Sequence, residues 1–276
     1  MPRKSITEEL KQEIVKYYLS QPMTLKQVEN KYKLSHPTIS KILIDIPKYN
    51  KAKLNNPQMK EHFFQEIDCE ENAYFLGLLI SDGNVFKDNT GRQSSISITL
   101  SLEDKYILEK FKNILQANTS ITSDNRGCCQ FAIRSNIMAK DLEKYGVVPR
   151  KSYNTYLPKV SKNYMEHLIR GIFDGDGSIL AKQSPKKDNH NRFLHSVSFC
   201  GTHQLMTDIS DYIYKNFNLN QKPIVYDYKD RQLSELKIQN KNDIYLFGSY
   251  IYRNTNIFLD RKYKIFLDFK KHYNLD

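Results

Sequence analysis

The sequence predicts a mixed α+β protein in which one helix-and-strand unit is written twice behind a small all-α module. Three observations lead there: an internal repeat with a 94-residue offset, hydrophobic spacing that switches between helical and strand periods in the same order in both copies, and three short helical segments ahead of them. At 276 residues and 39% hydrophobic content, the chain is long enough to fill about two ordinary domain cores.

The first module spans residues 1–46. Leu10, Ile14 and Tyr18 recur at helical spacing. Thr24-Leu-Lys-Gln27 has the spacing of a capping box, in which the Thr24 hydroxyl and the Gln27 side chain satisfy free backbone N–H groups reciprocally. A helix therefore starts there and runs to about Tyr32. Leu34-Ser35 forms a turn, Ser35 caps the next helix, and Pro37 falls in the first turn of that helix, His36 to Ile44. With Thr38-Ile-Ser-Lys41, this pattern resembles the helix-turn-helix of repressors and transposases, although Glu29 and Lys33 stand where that pattern usually has a small residue and Gly. The resemblance makes His36, Thr38, Ser40 and Lys41 candidates for DNA contact; a helical bundle that merely caps the next domain is the alternative. Residues 47–70 are polar, rich in Lys and Asn, and carry Pro47 and Pro57, so they read as a linker.

The repeat occupies 71–160 and 161–276. Its copies open with Ala73-Tyr-Phe-Leu-Gly-Leu-Leu-Ile-Ser-Asp82-Gly83 and His167-Leu-Ile-Arg-Gly-Ile-Phe-Asp-Gly-Asp176-Gly177, and Gly77 and Gly171, like Asp82 and Asp176, lie 94 residues apart. Period-2 strands follow at Ile96, Ile98, Leu100 and at Val197, Phe199. Amphipathic helices come next at Leu108, Phe111, Leu115 and at Leu205, Ile209, Ile213. Further strands end at Ile133 and Ile238, and second helices run from Asn136 to Tyr145 and from Asn242 to Tyr252. Both copies then reach a basic element, containing Lys151 and Lys262 respectively.

Each copy thus begins with an apolar helix ending at Asp-Gly, where Gly83 or Gly177 is expected to take the left-handed conformation that closes a helix. Small Gly77 and Gly171 would let two such helices pack closely, bringing Asp82 and Asp176 side by side at one end. Two adjacent carboxylates stay ionised together when a cation lies between them, and hard, oxygen-seeking Mg²⁺ suits that role. Such an arrangement can hydrolyse a phosphodiester.

These residues resemble the LAGLIDADG family over about Phe64 to Phe269. Phe75-Leu-Gly-Leu-Leu-Ile-Ser-Asp82-Gly83 and Ile169-Arg-Gly-Ile-Phe-Asp-Gly-Asp176-Gly177 align with its nine-residue signature, both acids at the eighth position. The resemblance implies two pseudo-symmetric αββαββα halves, signature helices at their interface, and antiparallel sheets forming a saddle over DNA. It further implies a site-specific homing endonuclease, associated with mobile elements such as introns, that acts as a monomer. Mg²⁺ is the implied metal, with Mn²⁺ able to substitute and Ca²⁺ supporting binding without cleavage. Asp82 and Asp176 become the metal acids, assisted by the carbonyls of Ser81 and Gly175, and Lys151 and Lys262 become site lysines near the scissile phosphates. Ser81 is read as replacing the first acid of the signature, which Asp174 keeps. Ser101 or Thr202 is the candidate for positioning water.

The +11 net charge, with Lys and Arg outnumbering Asp and Glu 42 to 31, points to a polyanionic partner. Strand residues alternating away from the helices are expected to face the duplex. Candidates are Lys87, Arg92, Gln93, Ser95, Arg126 and Arg134 in the first half, and Lys182, Lys186, Lys187, His190, Arg192, Lys229, Arg231 and Lys237 in the second. The halves differ at most of these positions, so the implied target is long and asymmetric. Four cysteines without a C-x-x-C pair indicate neither zinc nor a disulfide framework. With no signal-peptide pattern and no run of about 18 apolar residues, a cytoplasmic, nucleoid-associated protein is expected.

Spacing separates the competing motifs. Asp174-Gly-Asp-Gly-Ser-Ile179 looks like the middle of an EF-hand loop, but that register puts Ile172 at the first ligand position and Gln183 at the last. Glu235-Leu-Lys237 resembles the E-x-K of other nucleases without an upstream acidic strand to complete it. A DNA-binding regulator derived from the same family, or an intron maturase, remains an alternative.

Overall fold

The computed structural model describes residues 6–20, 25–44, 58–88, 93–149, 154–184, 192–229 and 233–275. The chain divides into two compact units, Met1–Glu61 with Lys112–Ser120, and His62–Phe111 with Ile121–Asp276. No helix among the described residues is long and apolar enough to cross a membrane.

The first unit contains three helices, α1 (Glu8–Ser20), α2 (Leu25–Tyr32) and α3 (His36–Ile44), as the sequence predicts. Their apolar faces bury Ile14, Leu25, Val28, Ile39, Ile42 and Leu43. Thr24, the first residue of the expected capping box, lies outside the described residues. Lys33 adopts a left-handed backbone with φ of 51°, which accounts for the Gly usual at this point of a helix-turn-helix. Glu29, the other departure from that pattern, accepts the His36 ring at 2.8 Å across the turn.

In the second unit, residues 62–69 are more than the end of a linker. Phe64 is fully buried, and the rings of Phe63 and Phe64 pack against Phe111, itself stacked 4.2 Å from Phe75. The first copy then runs α4 (Glu70–Ser81), β1 (Gly83–Lys87), β2 (Ser94–Ser101), α5 (Lys105–Leu115), β3 (Thr122–Ser123), β4 (Cys128–Arg134) and α6 (Asn136–Glu143). The second runs α7 (Lys162–Asp176), β5 (Gly177–Gln183), β6 (Phe193–Gly201), α8 (His203–Asn216), β7 (Ile224–Asp227), β8 (Ser234–Ile238) and α9 (Lys241–Ile251), followed by α10 (Asp260–Tyr273).

Both copies are therefore αββαββα, and both sheets have the same antiparallel order, β1-β2-β4-β3 and β5-β6-β8-β7. Alternation sends Val85, Ile96, Ile98, Phe131 and Ile133 inward from the first sheet, and Ile179, Val197, Phe199, Leu236 and Ile238 inward from the second.

Helices α4 and α7 cross backbone to backbone. A methyl on Gly77 would stand 3.0 Å from the Gly171 Cα, and it would run into the Leu168 carbonyl. The expected left-handed closure at Gly83 and Gly177 does not occur. Neither has positive φ, and Gly177 is extended at φ −91°, ψ 161°, so each helix passes straight into a strand. What these positions require is space, since a Cβ would collide with Leu79 at Gly83 and with Phe173 at Gly177.

Candidate active site and nucleic-acid interface

The crossing brings the two signature ends together. Asp82 closes α4, its N–H donating to the Leu78 carbonyl at 2.9 Å, while Asp176 ends α7 and is exposed. Gly175 faces the opposite signature: a Cβ there would collide with Ser81 and lie 3.1 Å from Asp82 Oδ2. The 94-residue offset matches Ser81 to Gly175 and Ile80 to Asp174, which corrects the reading of Ser81 as a substitute for the first acid. Ser81 turns its hydroxyl back onto its own helix, donating at 3.2 Å to the carbonyls of Gly77 and Leu78.

Asp174, two residues before Asp176, is only 1% exposed. Its Oδ2 accepts the Tyr74 hydroxyl from the opposite signature helix at 2.8 Å and the Leu259 N–H at 2.9 Å. Burial pushes its pKa up to about 6 against the opposing pull of Lys262 and these two donors. The ammonium of Lys262, itself buried, donates to the carbonyls of Phe173, Asp174 and Gly177 at 2.6, 2.8 and 2.6 Å. Burial draws Lys262 down to about 8, with Asp174 and then Asp82 among the charges that pull it back up.

A second buried polar hub ties the halves together further along α7. Arg170 occupies the signature position of Leu76 and is fully buried. It donates to the carbonyls of Ile257 and Ile251 at 2.8 and 2.9 Å, to Glu70 at 2.9 Å, and contacts His167 Nδ1 at 2.8 Å. Glu70 also accepts the Thr255 hydroxyl. Burial, reinforced by Arg170, lowers the His167 pKa to about 4 and keeps the ring neutral as an acceptor. A buried guanidinium is costly unless its donors are met, and these four bonds engage four of its five N–H groups.

Ser81 and Asp82 therefore meet Gly175, the residue before Asp176, at the ends of the two signature helices, and Lys262 lies at the same helix end but below the surface. Lys151 falls outside the described residues. Thr202, a candidate for holding water, is the N-cap of α8: its buried hydroxyl accepts the Leu205 N–H at 3.2 Å and donates to the Thr155 carbonyl at 2.6 Å. Ser101 is exposed at the end of β2.

The outer sheet faces are mostly polar, with Phe86 and Ile224 exposed on them. Ser95 and Arg134 are register neighbours on the first, and Lys182 and Lys237 lie on the second. Lys87 shares the parity of buried Val85 and so belongs to the helix side, exposed at the strand end, contrary to expectation. Gln93 closes the β1–β2 loop by accepting the Asp88 N–H at 3.0 Å, and Arg192 likewise accepts from Ser184 at 2.8 Å. Arg126 pairs with Asp124 in the β3–β4 turn, and Lys229 is exposed after β7. Arg92, Lys186, Lys187, His190 and Arg231 lie outside the described residues. On α3, Lys41 is exposed, His36 engages Glu29, Thr38 engages the Ser35 hydroxyl at 2.9 Å, and Ser40 is half-buried.

Strand pairing adds outward residues that the sequence reading passed over. Asn84, Ser97, Thr99 and Gln130 lie on the first outer face, and Ser178, Ser196, Ser198 and Tyr226 on the second. Alternation in Ser94-Ser-Ile-Ser-Ile-Thr-Leu-Ser101 carries this signal in uncharged polar side chains rather than in basic ones.

Oxygen donors dominate the helix ends, and no group of three His, Cys, Asp or Glu that could hold a metal occurs among the described residues. Two carboxylates with backbone carbonyls fit a hard divalent ion that keeps water and phosphate oxygens for its other positions, the usual habit of Mg²⁺.

Duplicated αββαββα halves, crossed on their glycines with an acid at each helix end, define the LAGLIDADG-like fold, and residues 70–152 match the family model of the LAGLIDADG-like domain. Among solved structures, the LAGLIDADG meganuclease I-AabMI bound to uncleaved DNA matches with a TM-score of 0.54 at 14% identity, covering 73% of this chain and 90% of that one. The meganuclease I-SmaMI bound to an uncleavable DNA matches at 0.52 and 13% identity, covering 74% and 90%. I-SmaMI bound to cleaved DNA matches at 0.51 and 12%, covering 75% and 89%. At such identities the likeness is one of fold. No curated protein is detectably similar in sequence.

Proposed function

We propose that this chain is a metal-dependent DNA endonuclease that binds a long, asymmetric duplex as a monomer and breaks both strands. The observation that carries the reading is the approach of Asp82 Oδ2 to Gly175, the residue before Asp176, where the two signature helices end. Asp82, Asp176 and the carbonyls of Ser81 and Gly175 would hold Mg²⁺, with Mn²⁺ as a substitute. Such an ion supplies an activated water and neutralises charge on the phosphate. Gly175 leaves room for the opposing carboxylate, and the Tyr74–Asp174 bond locks the two helices in that register. The two acids are related by the repeat, so each serves one strand of a duplex whose strands have a matching two-fold relation.

The polar outer faces of the two sheets are the reading surface. Their side chains differ between halves, which supports an asymmetric target. The excess of basic residues supports phosphate binding, and the three-helix unit, with Lys41 exposed on α3, extends the contact beyond the cleavage site. The similar solved structures are of meganucleases bound to DNA, in agreement with this assignment.

Selection of cleaved molecules from a randomised duplex library in Mg²⁺ is the direct test. Recovery of one long sequence family cut at fixed positions is expected. Enrichment of bound duplexes that are never cut in Mg²⁺ or Mn²⁺ would make the protein a DNA-binding regulator instead.

A further inference from the structure

Lys262 was expected at the scissile phosphate, yet its surroundings suit another task. A lysine ammonium has three donors and no acceptor. All three distances here, 2.6, 2.8 and 2.6 Å, run to carbonyls of the turn that carries Asp176: Phe173 and Asp174 before it and Gly177 after it. The side chain is 3% exposed and its Nζ lies 5.0 Å from the centre of the Phe173 ring. The last carbonyls of a helix have no partner within it, and a cation at that end is favoured by the helix dipole. Asp174 adds a buried carboxylate beside the ammonium, and the same carboxylate accepts the Leu259 N–H just ahead of α10, on which Lys262 sits. The C-terminal helix is thus fastened to the end of α7 by side-chain and backbone bonds together.

We propose that Lys262 is a positioning residue: it clamps the Phe173–Gly177 turn through three carbonyls and thereby sets where Asp176 and the Gly175 carbonyl stand, rather than meeting the phosphate. This rests on the reading of Asp82 and Asp176 as the cleavage centre. It predicts an asymmetric defect, because the clamp serves one of two acids.

The test compares full-length wild type with Lys262→Met, using amide exchange, the salt dependence of duplex affinity in Ca²⁺, and strand-resolved cleavage of the selected site. Exchange should rise over residues 172–178 and stay at the wild-type level over 78–84. The slope of log affinity against log salt should be unchanged, whereas a phosphate-contacting lysine removes about one unit of slope. One strand should be cut about a hundredfold more slowly, the order a misplacement near about 1 Å costs, so that nicked duplex accumulates. If Lys262→Met does not fold, Lys262→Gln, which keeps two amide donors on a shorter stem, should give the same pattern in weaker form.

A slope reduced by about one with unaltered exchange, or equal slowing of both strands, overturns the proposal. If wild type cuts nothing, the endonuclease reading fails, while exchange and salt slope still decide the clamp.

Discussion

Gly77 and Gly171 meet where the two signature helices cross, each so close that a methyl on one would stand 3.0 Å from the other's Cα and inside the opposite backbone. Backbone cannot rotate away as a side-chain end can. Gly77→Ala or Gly171→Ala should therefore cost about 3 kcal/mol or more, at the upper end of overpacking penalties. Urea denaturation checks this; an alanine variant within experimental error of wild type would mean the helices do not approach as described.

Replacing Asp82 or Asp176 with Asn separates catalysis from binding. Asn keeps the shape and one acceptor oxygen but loses the charge that attracts a divalent ion. Cleavage should fall by about a thousandfold or more, on the scale of losing a principal electrostatic group. Affinity in Ca²⁺ or EDTA should stay equal or tighten, since a negative charge beside a phosphate has been removed. A double Asn variant that cuts as fast as wild type would displace these acids from the centre.

His167 should make stability fall in mild acid. Its pKa is lowered from the ordinary 6.5 to about 4 in the fold, so between those values the unfolded chain takes up a proton that the folded chain refuses. Stability is fully present above pH 6.5 and is lost as pH falls toward 4, by up to about 3 kcal/mol at roughly 1.4 kcal/mol per pKa unit. Asp174 works the other way over much of the same window, because its pKa is raised to about 6 and folding favours its protonated form. The readout is therefore the difference between wild type and His167→Gln in denaturation series from pH 8 to pH 4. Parallel curves would refute the assignment.

Lys33 holds a left-handed backbone with φ of 51° in the turn before α3. An L side chain pays roughly 1–2 kcal/mol there, partly offset by the extra chain entropy glycine loses on folding. Lys33→Gly should stabilise the three-helix unit by about 1 kcal/mol, seen as slower amide exchange in α1 to α3. Faster exchange would show that the lysine side chain contributes more than its backbone costs.

Deleting residues 1–46 should shorten the footprint on the selected duplex and weaken binding, with cut positions unchanged, because contacts outside the cleavage site are lost while Asp82 and Asp176 stay in place. Footprinting and affinity at two salt concentrations check this, and an unchanged footprint would assign the three helices another role.

Much of the architecture was legible from the chain alone. The repeated Gly and Asp positions, with switching helical and strand periods, determined the element order of both halves, the close approach of the two signature helices, and the three helices ahead of them, because hydrophobic period and repeat register are local properties of sequence. What only the tertiary structure decided involves partners far apart in the chain. Lys262 became a clamp on carbonyls 85 to 89 residues away. Asp174 found Tyr74 at a separation of 100 residues. Thr202 became a helix cap bonded to Thr155, and Phe64 left the predicted linker for the core. The side of the sheet that Lys87, Ser97 or Ser198 occupies likewise follows from strand register, which one strand read alone does not specify. Burial decides each of these roles: a lysine, an aspartate or a threonine shut away from water must bond to whatever the fold brings within reach, and the residue type alone does not name that partner.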